Sequence, residues 1–302
     1  NPRKRINYMK SYTGKSISMP PAPKTKPQVS ENKKIKVGIL CICLGSNYWP
    51  FANEMFWGLD TFFLKHQSIK DKYETEFMIW SDMPIEKFKG KVFPTEPTEW
   101  PLPTLLRYNL FLQQEEYLKN FDYLFYIDVD MRIVDWIGEE IMGDGLTVAQ
   151  HPMYDLRENL LAPYDSNPIS EAYIRLPGSY IDDGKGGKKF RFEYYAGGFQ
   201  GGKTDIWIEA MKEMRKMIDK DMSNNYIPRW NDESIFNSYI FRHPEINKIV
   251  LSPAYIYPDS LIADYYFKIW GRNYSPKIIT LTKSFTTTAS GGEAVRNQLA
   301  TM

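Results

Sequence analysis

Residues Phe121–Arg132 read FDYLFYIDVDMR, an aromatic and β-branched run that ends in two carboxylates, Asp128 and Asp130, with Val129 between them. Such a run predicts a buried strand of a parallel sheet. Residues i and i+2 of a strand share a face, so both acids are expected to reach one site. That site lies at the carboxyl end of the strand, where open α/β sheets gather their ligands. Two hard oxygen donors suit Mn²⁺ or Mg²⁺, which bind through one or two carboxylates plus substrate phosphates. The plain alternative is a pair of turn acids capping the next element, and the local pattern leaves both open.

On either side of this stretch strands and helices alternate. KIKVGILCICLG from Lys34 reads as a first buried strand, and Pro50 suits the first turn of a helix over 51–66. ETEFMIWS at 74–81 and residues 91–93 read as further strands, and Thr104 as the cap of a helix running to about Lys119. The alternation specifies an α/β fold, a mostly parallel sheet flanked by helices. Leu146–Gln150 reads as a strand ending at His151-Pro152, and Phe190–Phe199 as another, closing on Gly197-Gly198-Phe199-Gln200-Gly201-Gly202. The doubled glycines allow close approach of backbone to ligand, or form a tight turn with a bulge, which the pattern alone favours. Thr204 is expected to cap a helix whose stripe of Ile206, Trp207, Ala210, Met211, Met214, Met217 and Ile218 is core packing. Asn231 is expected to cap a helix to Phe241, with a strand over 248–256 to follow.

Residues 1–33 carry Pro20, Pro21, Pro23 and Pro27 in a basic, polar context and read as a stem or linker. Residues 34–284 read as one catalytic domain, and 285–302 as a flexible tail. The 302 residues are 43% hydrophobic with a formal charge of +1, enough for a sizeable core and no sign of a nucleic-acid binder. No apolar run approaches 18 residues. The chain starts at Asn1 rather than Met, which fits a membrane anchor upstream of residue 1. Cys41 and Cys43 point the same way on one strand and read as small buried hydrophobes, not a disulfide. Zinc-type histidine spacing, the G-x-S-x-G elbow, the Walker A loop and G-x-G-x-x-G are all missing. The second acidic cluster is Trp230-Asn231-Asp232-Glu233-Ser234. Its acids either complement a helix dipole or place a nucleophile or base in an aromatic-walled pocket.

Taken in order, YIDVDM (126–131), His151-Pro152, SEAYI (170–174), YYAGGFQGG (194–202), WNDES (230–234), LSPAY (251–255) and AVRN (294–297) resemble the retaining glycosyltransferases that include the blood-group A and B transferases and α-1,3-galactosyltransferase. The resemblance implies a single GT-A type domain that uses a UDP-sugar donor, an oligosaccharide acceptor and Mn²⁺, with Mg²⁺ as a substitute. It implies Asp128 and Asp130 as metal ligands and Glu233 as the catalytic carboxylate. Donor contacts would come from Ile42, Leu44, Tyr48, Arg107, Val129, Ala196, Gly197, Gly198, Asp232 and Arg296. Acceptor contacts would come from His151, Trp230 and Asp259. Gly198 leaves room at the C2 substituent and tilts the donor towards UDP-GalNAc over UDP-Gal, with leakage because one methyl discriminates by only ~1–3 kcal/mol. The implied acceptor is a terminal β-galactoside, with or without an α-1,2-fucose. Asn231 stands where the blood-group enzymes have His, and Asp259 is displaced behind Pro258, which touches acceptor choice. Bacterial members lack the Asp-x-Asp pair, so its presence here points to metal dependence. The compartment is the Golgi lumen for a eukaryotic source and the cytoplasm for a microbial one. The rival readings are a catalytically silent sugar- or UDP-sugar-binding protein on the same fold, and a sugar-nucleotide hydrolase. Closure of 154–187 and 284–302 over UDP is a further expectation, motivated by their polar, Gly-rich composition.

Overall fold

The computed structural model describes residues 33–83, 88–152, 164–174, 193–259, 271 and 273–283, and the backbone of 180–182 and 188–190. Arg296, the stem but for Lys33, the tail and most of the 154–187 segment lie outside the described residues.

The chain runs β1 (Ile35–Cys43), α1 (Trp49–Phe62), β2 (Tyr73–Ser81), β3 (Lys91–Pro94), then three short helices, α2 (Leu102–Leu105), α3 (Arg107–Leu112) and α4 (Glu115–Leu118). There follow β4 (Tyr123–Ile127), β5 (Met131–Ile133), β6 (Leu146–Gln150), β7 (Tyr180–Asp182), β8 (Lys188–Phe190) and β9 (Tyr195–Lys203). Helices α5 (Thr204–Ser223) and α6 (Asn231–Arg242) precede β10 (Lys248–Leu251), β11 (Tyr257–Pro258) and β12 (Ile278–Thr280). Seven strands form the main sheet in the order β10-β6-β9-β4-β1-β2-β3. All its pairs are parallel except those of β9, which runs antiparallel to β4 and β6. The architecture is therefore the expected α/β one, with one reversed strand that the alternation did not reveal. Beside it lie a three-stranded sheet, β11-β12-β5, and the β7-β8 pair. None of the described helices is long and apolar enough to cross a membrane.

The period of two along β1 explains the two-layer core. Leu40 and Ile42 join Trp80, Phe111, Tyr126 and the α5 stripe of Trp207, Met211 and Met214 on one face. Ile39, Cys41 and Cys43 join Met55, Leu59, Phe125 and Phe199 on the other. Both cysteines are thus buried, free and on one face, as the alternation requires.

Several local expectations are corrected. The strand of the opening stretch stops at Ile127, and Asp128-Val129-Asp130 form a turn before β5 crosses to the smaller sheet. The helix expected over 104–119 is broken into three, the backbone loosening at Gln114 to φ −110°, ψ 21°. Thr104 is not its cap; its hydroxyl donates to the Pro101 carbonyl. Neither Thr204 nor Asn231 caps a helix with its side chain, and Asn231 instead takes φ 50°. The strand over 248–256 ends at Leu251, and Pro253–Tyr255 turn as 3₁₀ helix. The bulge falls at the first glycine pair, where the register of β9 against β6 shifts between Tyr195 and Gln200, whereas the glycines at 201–202 make neither a turn nor a bulge but lie inside β9, where the backbones close up. A Cβ on Gly201 would sit 2.3 Å from the Leu124 carbonyl oxygen, and Gly202 has φ +136° with Gly145 O 2.2 Å from any Cβ.

Candidate active site

Strand pairing assembles the site. Because β9 opposes β4 with Phe199 beside Ile127, the start of β9 lies against the end of β4, and the Asp128 N–H donates to Gly198 O at 3.0 Å. A pocket of about 180 Å³ opens there, lined by Ile42 and Leu44 from the end of β1, Tyr48, Arg107, Tyr126, the Asp128–Asp130 turn and Lys283. A wider cleft of about 740 Å³ shares Leu44 and Thr98 with it. The sequence places Ile42, Leu44, Tyr48, Arg107, Asp128, Val129 and Asp130 at one site, and the structure brings all seven to this pocket.

Arg107 is only 3% exposed. Its Nη1 lies 2.8 Å from Asp232 Oδ2 and donates to Gly197 O at 2.9 Å, and its Nη2 lies 3.3 Å from Asp128 Oδ1. The guanidinium stacks 4.0 Å from the centre of the Tyr126 ring, whose hydroxyl donates to Asp128 Oδ1. Arg107 therefore joins the acid of the β4 turn to the acid of α6, and its charge is spent on protein carboxylates.

Glu233, in the first turn of α6, accepts the Gly197 N–H on Oε2 at 2.7 Å. Burial pushes its carboxyl up to about 7, against the lowering effect of the Gly197 N–H and the Tyr194 hydroxyl. Burial, with Asp128 nearby, likewise raises Asp232 to about 6 despite the Arg107 guanidinium. Asn237, one turn along α6, holds Glu233 from behind: its Nδ2 donates to the Glu233 and Tyr195 carbonyls at 2.9 and 2.8 Å, and its Oδ1 accepts the Tyr195 N–H. Gly198 has no room for a side chain, since a Cβ would meet Met131 Cε at 2.2 Å and Asp128 Oδ2 at 2.7 Å. Ala196 is buried in the layer that holds the cysteines.

Asp130 is 6% exposed and pairs with Lys283, Nζ to Oδ2 2.6 Å. Burial and the neighbouring Asp128 raise its carboxyl, opposed by that lysine. Among the described residues no three side chains of metal-binding type cluster, so the protein would supply two carboxylates and leave other positions to phosphate and water. The donor set fits a hard divalent cation. Arg107 and Tyr126 both bond Asp128 through Oδ1, while Oδ2 is turned towards Gly198, and Asp130 already attracts a cation.

His151 packs edge-on to Tyr194 at 5.7 Å, and burial lowers its imidazole to about 4, so it is neutral at pH 7. Trp230 is 46% exposed beside Arg229. Asp259 does not face the pocket through its carboxylate: it accepts the Thr282 N–H at 2.8 Å and the Thr282 hydroxyl, fastening the strand end that carries Lys283. Tyr126, Asn237 and Lys283 are the participants that sequence reasoning missed. Tyr126 stands two residues before Asp128, and Asn237 four after Glu233, spacings that could have found them. Nothing local marks Lys283.

The sequence model described as Glycosyltransferase family 6 matches residues 108–269, more than half of the chain. The chain is 28% identical over 256 residues to the O-antigen biosynthesis glycosyltransferase WbnI of Escherichia coli, covering 82% of this chain and 94% of that protein. It is 31% identical over 150 residues to the histo-blood group ABO system transferase 1 of Rattus norvegicus, and 30% over 141 residues to the globoside alpha-1,3-N-acetylgalactosaminyltransferase 1 of Mus musculus. Those matches cover 49% and 47% of this chain, and only 38% and 36% of the mammalian proteins. With its acids, its glycine strand and its WNDES turn all inside the matched span, the chain belongs to glycosyltransferase family 6.

Proposed function

We propose that this glycosyltransferase is a metal-dependent, retaining enzyme of GT-A type. It moves N-acetylgalactosamine, or galactose, from a UDP-sugar to the 3-hydroxyl of a terminal β-galactoside. The observation that carries the reading is the join at the start of β9. There Gly197 holds Glu233 by its N–H and Arg107 by its carbonyl, while the next residue abuts Asp128. One segment thereby sets a carboxylate of raised pKa beside a cation-binding pair. The name of the mouse relative, an alpha-1,3-N-acetylgalactosaminyltransferase, supports the linkage and the choice of donor.

In this reading Asp128 and Asp130 hold Mn²⁺ or Mg²⁺, which supplies positive charge against that developing on the leaving diphosphate. Ile42, Leu44 and Val129, with the Tyr48 ring, form an apolar seat for the uracil and ribose. Arg107 bridges Asp128 and Asp232 and holds them apart, and Asp232 accepts sugar hydroxyls. The bond from the anomeric carbon to the phosphate oxygen breaks, UDP takes the electron pair, and acceptor O3 bonds to that carbon as its proton passes to the departing phosphate oxygen. Retention follows if Glu233 first takes the carbon and then yields it to O3, or if Glu233 stabilises the oxocarbenium-like sugar during front-face attack. The Gly197 N–H fixes the carboxylate for either role. His151, neutral at pH 7, and Trp230 are the acceptor wall.

The test is UDP release from UDP-GalNAc and from UDP-Gal, with and without a fucosylated galactoside, in Mn²⁺ and in EDTA. Acceptor-stimulated, EDTA-sensitive release favouring UDP-GalNAc is the expected result. Turnover that survives EDTA would remove the metal role from Asp128 and Asp130.

A further inference from the structure

Lys283 reaches the donor pocket by register. Strand β12 pairs antiparallel with β5, Thr280 opposite Met131, and the ladder continues as the Leu281 N–H donates to the Asp130 carbonyl at 2.8 Å. The next residue, Thr282, is tied to the Asp259 carboxylate through its N–H and its hydroxyl. With the backbone fixed at both residues, the Lys283 side chain enters the pocket beside Tyr48, its Nζ 5.2 Å from the ring centre and 2.6 Å from Asp130 Oδ2. The lysine side chain is 30% exposed and the carboxylate 9%. A divalent cation on a carboxylate oxygen sits at about 2.0–2.1 Å, inside the position the ammonium now holds, and repels it.

We propose that Lys283 is a tethered counter-cation of the metal site: it rests on Asp130 until a divalent cation takes that carboxylate, and so links metal entry to donor entry. The inference rests on the metal reading above and adds a regulation to it. The freed ammonium remains in the pocket on a flexible four-carbon stem, and its next partner is an anion, the diphosphate of the incoming nucleotide. Metal binding thus presents a cation to the donor, and donor binding holds the lysine off the metal's ligand. Thermodynamic reciprocity then requires each to raise the affinity of the other by the same factor.

The experiment measures Mn²⁺ affinity of the full chain, by the electron paramagnetic resonance signal of free Mn²⁺, without and with UDP. Wild type, Lys283→Met, Lys283→Gln, Lys283→Arg and Asp130→Asn are compared. Removing the competing ammonium should tighten Mn²⁺ binding in the absence of UDP about five- to tenfold, the scale of one partly buried ion pair. The gain in Mn²⁺ affinity that UDP gives the wild type should shrink by a similar factor in the Met and Gln variants and persist in the Arg variant. Mn²⁺ affinity that is unchanged or weaker in both the Met and Gln variants without UDP would overturn the inference while leaving the metal site standing. A wild type that takes up no Mn²⁺ under either condition, or an Asp130→Asn variant that binds it equally well, would overturn the metal reading and this inference with it.

Discussion

Replacing Glu233 by Gln should stabilise the protein above neutral pH while removing its transfer activity. In the folded chain the carboxyl is lifted from 4.5 to about 7 by burial in the first turn of α6. Below pH 4.5 both folded and unfolded forms carry the proton, and the group contributes nothing. Between 4.5 and 7 the folded form binds more protons, so stability falls as pH rises, and above 7 the whole penalty is present. At about 1.4 kcal/mol per pH unit the full penalty is about 3.4 kcal/mol. Glu233 keeps some exposure, and solvent screening reduces this to about 2 kcal/mol. Gln cannot ionise, keeps an oxygen for the Gly197 N–H and has nearly the same volume. Urea unfolding of both forms at pH 4 and pH 8 is the assay. The variant should gain about 2 kcal/mol at pH 8, roughly 4 °C in Tm, and almost nothing at pH 4. An equal difference at the two pH values would show that the gain is not ionic, and a loss at pH 8 would refute the argument outright.

If ionised Glu233 is the nucleophile or stabiliser, log kcat/KM should fall with unit slope below about pH 7, and a rate flat to pH 5.5 would exclude that role. Gly198→Ala pushes a methyl group towards Met131 and the Asp128 carboxylate, so Mn²⁺ affinity read by titration should drop about 10–100-fold, the scale of a disturbed supporting shell. Asn237→Ala strips three hydrogen bonds from Tyr195 and Glu233 in a buried setting, and should cost about 3 kcal/mol in denaturant unfolding.

The sequence was legible where one element settles the matter. The apolar run before Asp128 reads as a buried strand and lies between β1 and β9, and Cys41 and Cys43 followed from a period of two. It misled where two distant segments meet. The glycines at 201–202 carry turn-like composition, yet they sit inside β9 because the Leu124 and Gly145 backbones approach too closely for a Cβ. Asn231 has the chemistry of a cap, but Ser234 receives the Trp230 N–H and Asn231 is turned to φ 50°. Asp128 and Asp130 reach one pocket as expected, though from a turn and not from one strand face. Lys283 was invisible because its place depends on the pairing of β12 with β5, two short strands whose partners Ile133 and Ile278 lie 145 residues apart in the chain.

The reversal of β9 also decides how this enzyme is open to change. Since β6 runs with β4 and β9 against both, β6 ends and β9 begins at the same rim of the sheet. The polypeptide from His151 to Tyr194 leaves that rim and comes back to it, so its length is decoupled from every hydrogen-bonded register in the main sheet. A change of length in that span re-pairs none of the strands that hold Asp128 against Gly198, whereas Asp165, Ser170 and Glu171 within it are tied to Arg229, Asp221 and Arg242. The carboxylates of the pocket are held by paired strands, and the length between His151 and Tyr194 by none of them. A lineage, or a protein engineer, can thus lengthen or shorten that span without re-pairing the sheet beneath it.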